Sequence, residues 1–488
     1  AAATPILGPL PQVLRLALPT MGMYLLLISS ETISLVSLGR ASGSDSHEIA
    51  GLGLGNLVYN CAALAVGFGF TGSQDTLVTQ AAGRGDHALC RLYLHRCQVW
   101  MVLIFAISGP IVSCTEQLLL LLRVTDEATA SHAGTYTRLC AAGLLGTFQY
   151  SALRKFLLAQ KDAMAGLLVQ SASIPLHVVW CGLLVPRYRM MGVGIAMLLK
   201  GWTDFFLLIV YVSFVRPKPH YRGWWRFWTA LKGERVRGGM VDYLRLAIPG
   251  VVMTASEWWA FELLGLFAGY LHSPAKLAAH VTAANISSIL YLSGTGAQKA
   301  ASSLVGAATG RGAEGEARSV ARAALLWNCL CGTLMGLLAA LLRQPLARVY
   351  APNGVDVQAV LSGLIPIVAV QGLLDGVNQS LQGALYGYGL QAKASNVSLG
   401  CYWLILPPSA LLLCFPARCG VAGLWFGCIA ASTVAIILNG RIYSRSNFEA
   451  VVRAAESRME LDSPGQGLQR PDAADETTAT EGLSLPPR

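Results

Sequence analysis

Apolar runs of roughly 18 residues or more recur from one end of this chain to the other, each long enough to cross a bilayer as a helix. Twelve spans are predicted, near 14–38, 49–80, 97–122, 134–158, 165–185 and 191–215, then 243–271, 277–307, 318–343, 356–387, 394–415 and 420–442. The 488 residues are 54% hydrophobic and only 13% charged. The fold class this predicts is an all-α membrane protein that passes the bilayer many times. A net charge of +10 then marks cytoplasmic loops, where Lys and Arg collect, and gives no reason to invoke nucleic acid. With the N-terminus inside, about 17 basic residues fall in cytoplasmic loops, among them Arg84, Arg91, Arg96, Arg154, Lys155 and Lys161. About 9 fall opposite, including Arg40, Arg187 and Arg418, so both termini are expected in the cytoplasm. The chain starts at Ala1 and no signal-peptide pattern precedes the first span, so a trimmed N-terminus is expected.

An internal repeat divides the spans. Leu14-Arg-Leu-Ala-Leu-Pro19 returns as Leu244-Arg-Leu-Ala-Ile-Pro249, and Ala81-Ala-Gly-Arg-Gly85 as Ala308-Thr-Gly-Arg-Gly312. Gly192-Val-Gly-Ile-Ala196 is echoed by Gly420-Val-Ala-Gly-Leu424. The offset stays near 230 residues. Six spans per repeat is an even number, so the halves share one orientation, related by a pseudo-two-fold axis along the membrane normal. Secondary transporters use this arrangement, with sites at the repeat interface. The predicted organisation is an N-lobe at 1–215, a basic Trp-rich cytoplasmic linker at 216–242, a C-lobe at 243–443 and a disordered tail at 444–488. The linker (Trp224, Trp225, Arg226, Trp228) is expected to lie on the membrane surface.

The seventh span carries the residues most in need of explanation. Ala247–Tyr270 is long enough to cross the membrane yet contains Glu257 and Glu262. Charged groups at that depth are costly and mark ion or substrate pathways. Five residues on a helix correspond to about 140° of rotation and about 7.5 Å of rise, so the two acids cannot share one narrow face unless the helix bends, for which Pro249, Gly250 and Gly265 offer places. Asp375 in the tenth span and Glu31 in the first are the other intramembrane carboxylates considered. Removal from water favours the neutral form of a carboxylic acid, which makes all four candidate proton carriers. Asp75 lies nearer the membrane edge beside Arg84, where a capping or ion-pair role is expected. Ser34, Gln74, Asn285, Tyr291, Asn378, Gln382 and Asn396 are further polar residues within spans; such groups commonly hydrogen-bond between helices.

The twelve cysteines show no CxxC pairing and are expected to be small apolar core residues. The chain has no GxxxxGK[ST], no HExxH and no GxSxG, so neither an ATPase nor a familiar hydrolase is indicated. An intramembrane enzyme built on Glu257 and Asp375 is a minor alternative, and a non-transporting membrane receptor or scaffold is a further one.

Glu257-Trp-Trp-Ala-Phe-Glu262 after Leu246-Ala-Ile-Pro249 resembles the multidrug and toxic compound extrusion (MATE) transporters, in particular the eukaryotic, plant-type branch. Gln74-Asp-Thr-Leu-Val-Thr-Gln-Ala-Ala-Gly83, Lys155-Phe-Leu-Leu-Ala-Gln160, Ala300-Ala-Ser-Ser-Leu-Val305 and Gln382-Gly-Ala-Leu-Tyr-Gly-Tyr-Gly389 are similar to other motifs of that family, in the same order. The resemblance runs from about Leu10 to Arg441. It implies two six-helix lobes around a central cavity and an antiporter that expels organic compounds, most simply organic cations, in exchange for protons. It also implies no cofactor, and proton-linked acids in the C-lobe at Glu257, Glu262 and Asp375, with Asn285 and Tyr291 as polar partners. The family tyrosine of the EWW motif is Phe261 here. Where bacterial relatives have an aspartate in the first span this chain has Ser34, with Glu31 one turn earlier. A monomer in the plasma or vacuolar membrane is expected. A lipid or lipid-linked precursor flippase, with a basic cavity, and sodium-coupled export are the alternatives.

Overall fold

The computed structural model describes residues 8–41, 46–221, 223–226, 234–351 and 354–462. All regular structure among these is helical. In hydrocarbon every backbone amide must be satisfied within its own segment, which a helix does. Six helices make the first half: α1 (Leu10–Ala41), α2 (His47–Gly83), α3 (His87–Ser113), α4 (Glu127–Ala159), α5 (164–188) and α6 (190–215). Six more make the second: α7 (Met240–Gly269), α8 (Pro274–Gly310), α9 (Glu314–Leu341), α10 (Val355–Tyr388), α11 (Gln391–Cys414) and α12 (Val421–Arg445). By composition alone nine runs among the described residues are long and apolar enough to be spans: α5 and α6 count as one, 164–215, and the more polar α4 and α8 fall outside them.

α5 and α6 run on without a loop and break at Arg189, whose φ of 50° and ψ of −122° no helix tolerates. Gly192 permits the sharp reversal, because a Cβ there would lie 2.5 Å from the Leu184 carbonyl oxygen. α2 is interrupted by a π turn at Asn60–Leu64 and a 3₁₀ turn at Thr71–Ser73. Within the π turn the Cys61 carbonyl accepts a hydrogen bond from Trp259 Nε1 of α7 at 3.2 Å.

The halves meet along α1 and α2 on one side and α7 and α8 on the other. Glycines set that seam. A Cβ on Gly250 would lie 2.6 Å from Gly69 O, and one on Gly296 2.5 Å from Ala17 O. Gly83 abuts Ala307, Gly306 abuts Thr79 and Gly310 abuts Gln80 just as closely. The contacts at 79–83 and 306–310 join the ends of α2 and α8 on the side of the molecule that bears the start of α1. Each half otherwise has its own apolar core, around Tyr136, Phe148 and Phe156 in the first and around Trp425, Tyr402 and Leu406 in the second.

Two regions depart from the sequence reading. The tail expected to lack structure from Ser444 is helical from Phe448 to Asp462 (α13). Its Phe448 and Val451 pack against residues of α8, α9 and α10, whereas Ala455 and Met459 pack into the first half. One apolar stripe at helical spacing thus spans both halves; the remainder of the tail, 463–488, lies outside the described residues. The linker is no mere surface segment: Tyr221 and Trp224 are buried, and only Trp225 of the described tryptophans there is exposed; Trp228 lies outside the described residues.

Candidate functional site

α8 and α10 run parallel, and their polar side chains meet at one constant offset. Ser287 Oγ donates to Gln371 Oε1 at 3.0 Å, Thr295 Oγ1 to Gln379 Oε1 at 3.0 Å, and Gln298 Nε2 to Gln382 Oε1 at 3.0 Å. Gln379 Nε2 also donates to the Tyr291 carbonyl at 3.2 Å. Asn328 of α9 ties the pair together, reaching the Gly376 carbonyl at 2.7 Å and Ser380 Oγ at 2.7 Å. A buried amide or hydroxyl without such a partner would cost about 1–3 kcal/mol, so the ladder fixes the register of the two helices.

Asp375 lies inside this ladder. Its Oδ1 accepts from Ser432 Oγ of α12 at 2.7 Å, and its Oδ2 accepts a short bond from Gln371 Nε2. Glu257 projects from α7 into the same half, where Tyr402 of α11 donates to its Oε1 at 3.5 Å. Tyr291 lies in electrostatic reach of both carboxylates, and each of them of the other. Glu257 is 6% exposed and Asp375 2%.

A comparison among acids singles these two out. Six carboxylates are buried among the described residues, and four have a cation within 4 Å. Asp75 has Lys155 and Lys299, Asp204 has Lys200, Asp162 has Arg216 and Glu48 has Arg189. Glu257 and Asp375 have hydroxyl and amide donors instead, and none of the ion pairs involves them.

The other residues singled out from the sequence are scattered. Glu262 is exposed and turned away from Glu257, toward Cys61 and Glu31 of the first half. Glu31 itself is half-buried beside Asn60. Asn285 does not join the carboxylates: it is exposed, its amide bonded to the Val281 carbonyl at 3.0 Å. The reason is rotational, since Asn285 shares the arc of α8 that carries Gly296 and Lys299, about 120° from Tyr291. Ser34 bonds His177 Nε2 at 3.1 Å, Gln74 the Ala152 carbonyl at 3.1 Å, and Asn378 accepts from Asn439 at 2.9 Å. These are helix-packing contacts. Asn396 sits on an exposed face of α11.

Asp75 corrects one expectation. Its partner is not Arg84, which pairs with Glu456 at 3.0 Å. Asp75 is buried and accepts from Lys155 at 2.9 Å and from Lys299 of the other half at 3.1 Å. Lys155 and Arg154, counted above among loop cations, are likewise buried within α4. The residues missed by sequence were Lys299, Tyr402, Gln371, Ser287 and Ser432. A signal existed for the ladder: 287, 291, 295 and 298 repeat at helical spacing, as do 371, 375, 379 and 382.

The twelve cysteines are free thiols, seven of them buried. Among the described residues no cluster of His, Cys, Asp or Glu is arranged to hold a metal.

A family model described as MatE matches the chain twice, over residues 19–183 and 249–411, which places the internal repeat at the two Leu-Ala-Leu/Ile-Pro motifs. The mouse protein named Multidrug and toxin extrusion protein 2 is 29% identical over 93% of this chain and 78% of its own length. Protein DETOXIFICATION 16 of Arabidopsis thaliana is 26% identical over 84% of this chain and 85% of its own. Among solved structures, the eukaryotic MATE transporter AtDTX14 superposes with a TM-score of 0.84 at 22% identity, covering 93% of this chain and 99% of that one. The likeness extends to the whole two-lobe, twelve-helix fold. This chain belongs to the MATE family, and it is therefore a multi-pass membrane transporter and not an enzyme.

Proposed function

We propose that this protein is an antiporter that exports organic compounds, organic cations foremost, in exchange for protons bound at Glu257 and Asp375. The observation that carries this reading is the absence of a cation partner at these two buried acids, when every other buried carboxylate among the described residues has one. A carboxylate in a low-dielectric site without a cation is stable only with a proton or with a cationic ligand. The two occupants exclude one another, which is the coupling an exchanger requires. Tyr402 and Tyr291 then serve as hydroxyl partners, and Glu262 with Glu31 as acids on the cleft between the halves. The extrusion names of the mouse and plant relatives support the substrate class.

In this reading the side bearing the chain termini is cytoplasmic. The seam at 79–83 and 306–310 and the Asp75 triad then close the cytoplasmic face, so the conformation is outward-facing. A cationic substrate dissociates as protons arrive from outside. Return to the cytoplasm releases them. A ligand shifts such an equilibrium only through differential affinity, and the paired acids supply it. A flippase for anionic lipid precursors would need a basic cavity, and the cationless acids Glu257 and Asp375 favour a cationic ligand instead.

The test is flux in proteoliposomes with a fluorescent organic cation, an imposed pH gradient and no sodium. Wild type is expected to move the cation against the proton gradient, and Glu257→Gln to fold but lose coupled movement. Flux that follows sodium at clamped pH would replace the coupling ion, and unchanged pH-driven flux in Glu257→Gln would remove the assignment.

A further inference from the structure

We propose that a cleft between α1 and the start of α5, on the side of the molecule bearing the chain termini, binds one anionic phospholipid of the surrounding bilayer. Its phosphate sits among Arg15, Lys161 and Arg216, and an acyl chain lies over Leu14, Leu18 and Met164. The cleft encloses about 410 Å³, and its wall combines these residues with Pro11, Pro19 and Ala163.

Its position suits a lipid. Arg15 lies about a turn and a half into α1, Lys161 in the connection after α4, and Arg216 at the end of α6. Helices alternate in direction, so these three positions share one rim of the membrane. Leu18 and Met164, 45% and 40% exposed, extend the cleft toward the hydrocarbon. Basic pockets between transmembrane helices at this depth are recognised receptors of anionic headgroups.

The charges are available to a ligand. Arg15 and Lys161 have no ion-pair partner among the described residues. The one carboxylate in the wall, Asp162, is already committed: it accepts from Arg216 at 3.1 Å, Tyr211 at 3.0 Å and Tyr221 at 3.4 Å. Arg216 is thereby held in place, with its side chain still 45% exposed. Lys161 is kept there by a left-handed backbone, φ 64°, in the tight α4–α5 connection.

A second observation, independent of the rim, also asks for an anion. Behind Asp162 and Ala163 of the cleft wall lies a second, much smaller void, lined also by Met23, Leu158, Gly166 and Arg154. That guanidinium is 4% exposed, has no carboxylate within 4 Å and is held mainly by the ring faces of Tyr24 and Tyr150, 5.3 and 5.9 Å away. Tyr24 OH accepts a long bond from Nη2 at 3.5 Å, and Nε has no partner at all. A buried arginine so weakly satisfied adds positive potential just behind the cleft wall and favours an anion there.

The experiment is native mass spectrometry of the full chain with phosphatidylglycerol or phosphatidylcholine. Wild type is expected to retain one phosphatidylglycerol per chain, and the double variant Arg15→Gln, Lys161→Gln to lose roughly tenfold or more of that affinity. Acylation of the Lys161 amine provides a readout free of mutation: phosphatidylglycerol should protect it and phosphatidylcholine should not. Equal retention of both lipids, or undiminished retention by the double variant, overturns the proposal. Protection by 10 mM inorganic phosphate alone overturns the lipid and leaves a site for free anions. The proposal is independent of the transported substrate.

Discussion

Lys299 of the second half reaches Asp75 of the first, Nζ to Oδ2 at 3.1 Å, and Lys155 holds the same oxygen at 2.9 Å. All three are buried or nearly so. Among the described residues this is the only ion pair across the seam whose members both lie within spans, and any separation of the halves on this side parts it. Further hydrogen bonds cross the interface around it: Thr76 Oγ1 donates to the Tyr386 carbonyl at 2.5 Å, Gln80 Nε2 to the Gly387 carbonyl at 3.0 Å and Gln391 Nε2 to Thr76 Oγ1 at 2.8 Å.

Lys299→Met should therefore open the terminal side. The lost bond to a charged group amounts to about 1.5–3 kcal/mol, which shifts a two-state equilibrium by more than tenfold. Spin labels at Ala88 and Gly315, one on each half, should show a second, longer distance. Asp75→Ala should be worse, at about 3–5 kcal/mol, because two buried lysines then face each other unpaired. A single unchanged distance in both variants would show that the triad does not hold the seam.

Gly250→Val should overpack the seam against the Gly69 carbonyl, while Gly265→Val, with open space around its Cβ, should be tolerated. Overpacking a tight contact costs about 1–3 kcal/mol. Thermal unfolding in detergent, followed by tryptophan fluorescence, should separate the two variants by several degrees.

α13 holds the first half through two unequal pairs. Arg96 is 3% exposed and meets Asp462 at 2.7 Å; Arg84 and Glu456 are 30% and 46% exposed. Exposed pairs contribute about 0–1 kcal/mol, so Glu456→Gln should have little effect and high salt should mimic it. Asp462→Asn should loosen the end of the helix, seen as faster amide exchange over 455–462. Since α13 also packs on the second half, truncation after Ser446 should raise the share of molecules open on the terminal side in the same spin-label measurement.

Asp126 gives a pH dependence outside the membrane. Its carboxylate caps α4, accepting from Thr129 Oγ1 at 2.8 Å and from the Thr129 amide at 3.1 Å. These bonds, with His47 nearby, hold its pKa down at about 2. The folded value lies below that of an unfolded aspartate, about 3.9, so the cap's contribution is complete above that value and is lost as pH falls through about 2. Protection of the Thr129 amide should persist at pH 4 in wild type, fade toward pH 2 and be absent in Asp126→Ala at every pH.

Much of this protein was legible in the sequence, for physical reasons that operate locally. Spans are visible because lipid demands some 20 apolar residues in a row. The duplication is visible because Pro19 and Pro249, with their flanking residues, recur in order. Glu257 and Asp375 stood out because an acid in such a run is costly wherever it points.

What only the tertiary structure decided is which acid meets which partner. Sequence gives Asp75, Lys155 and Lys299 no more kinship than Asp75 and Arg84, since a pair 224 residues apart is made by packing of α2, α4 and α8. Nor does it distinguish Glu257, turned into the second half, from Glu262, turned toward the first. Those two differ only by rotation about α7, and the neighbours that make one a cationless buried acid come from α10, α11 and α12. Composition fixes the price of burying a charge, but only the fold determines which charges are buried alone.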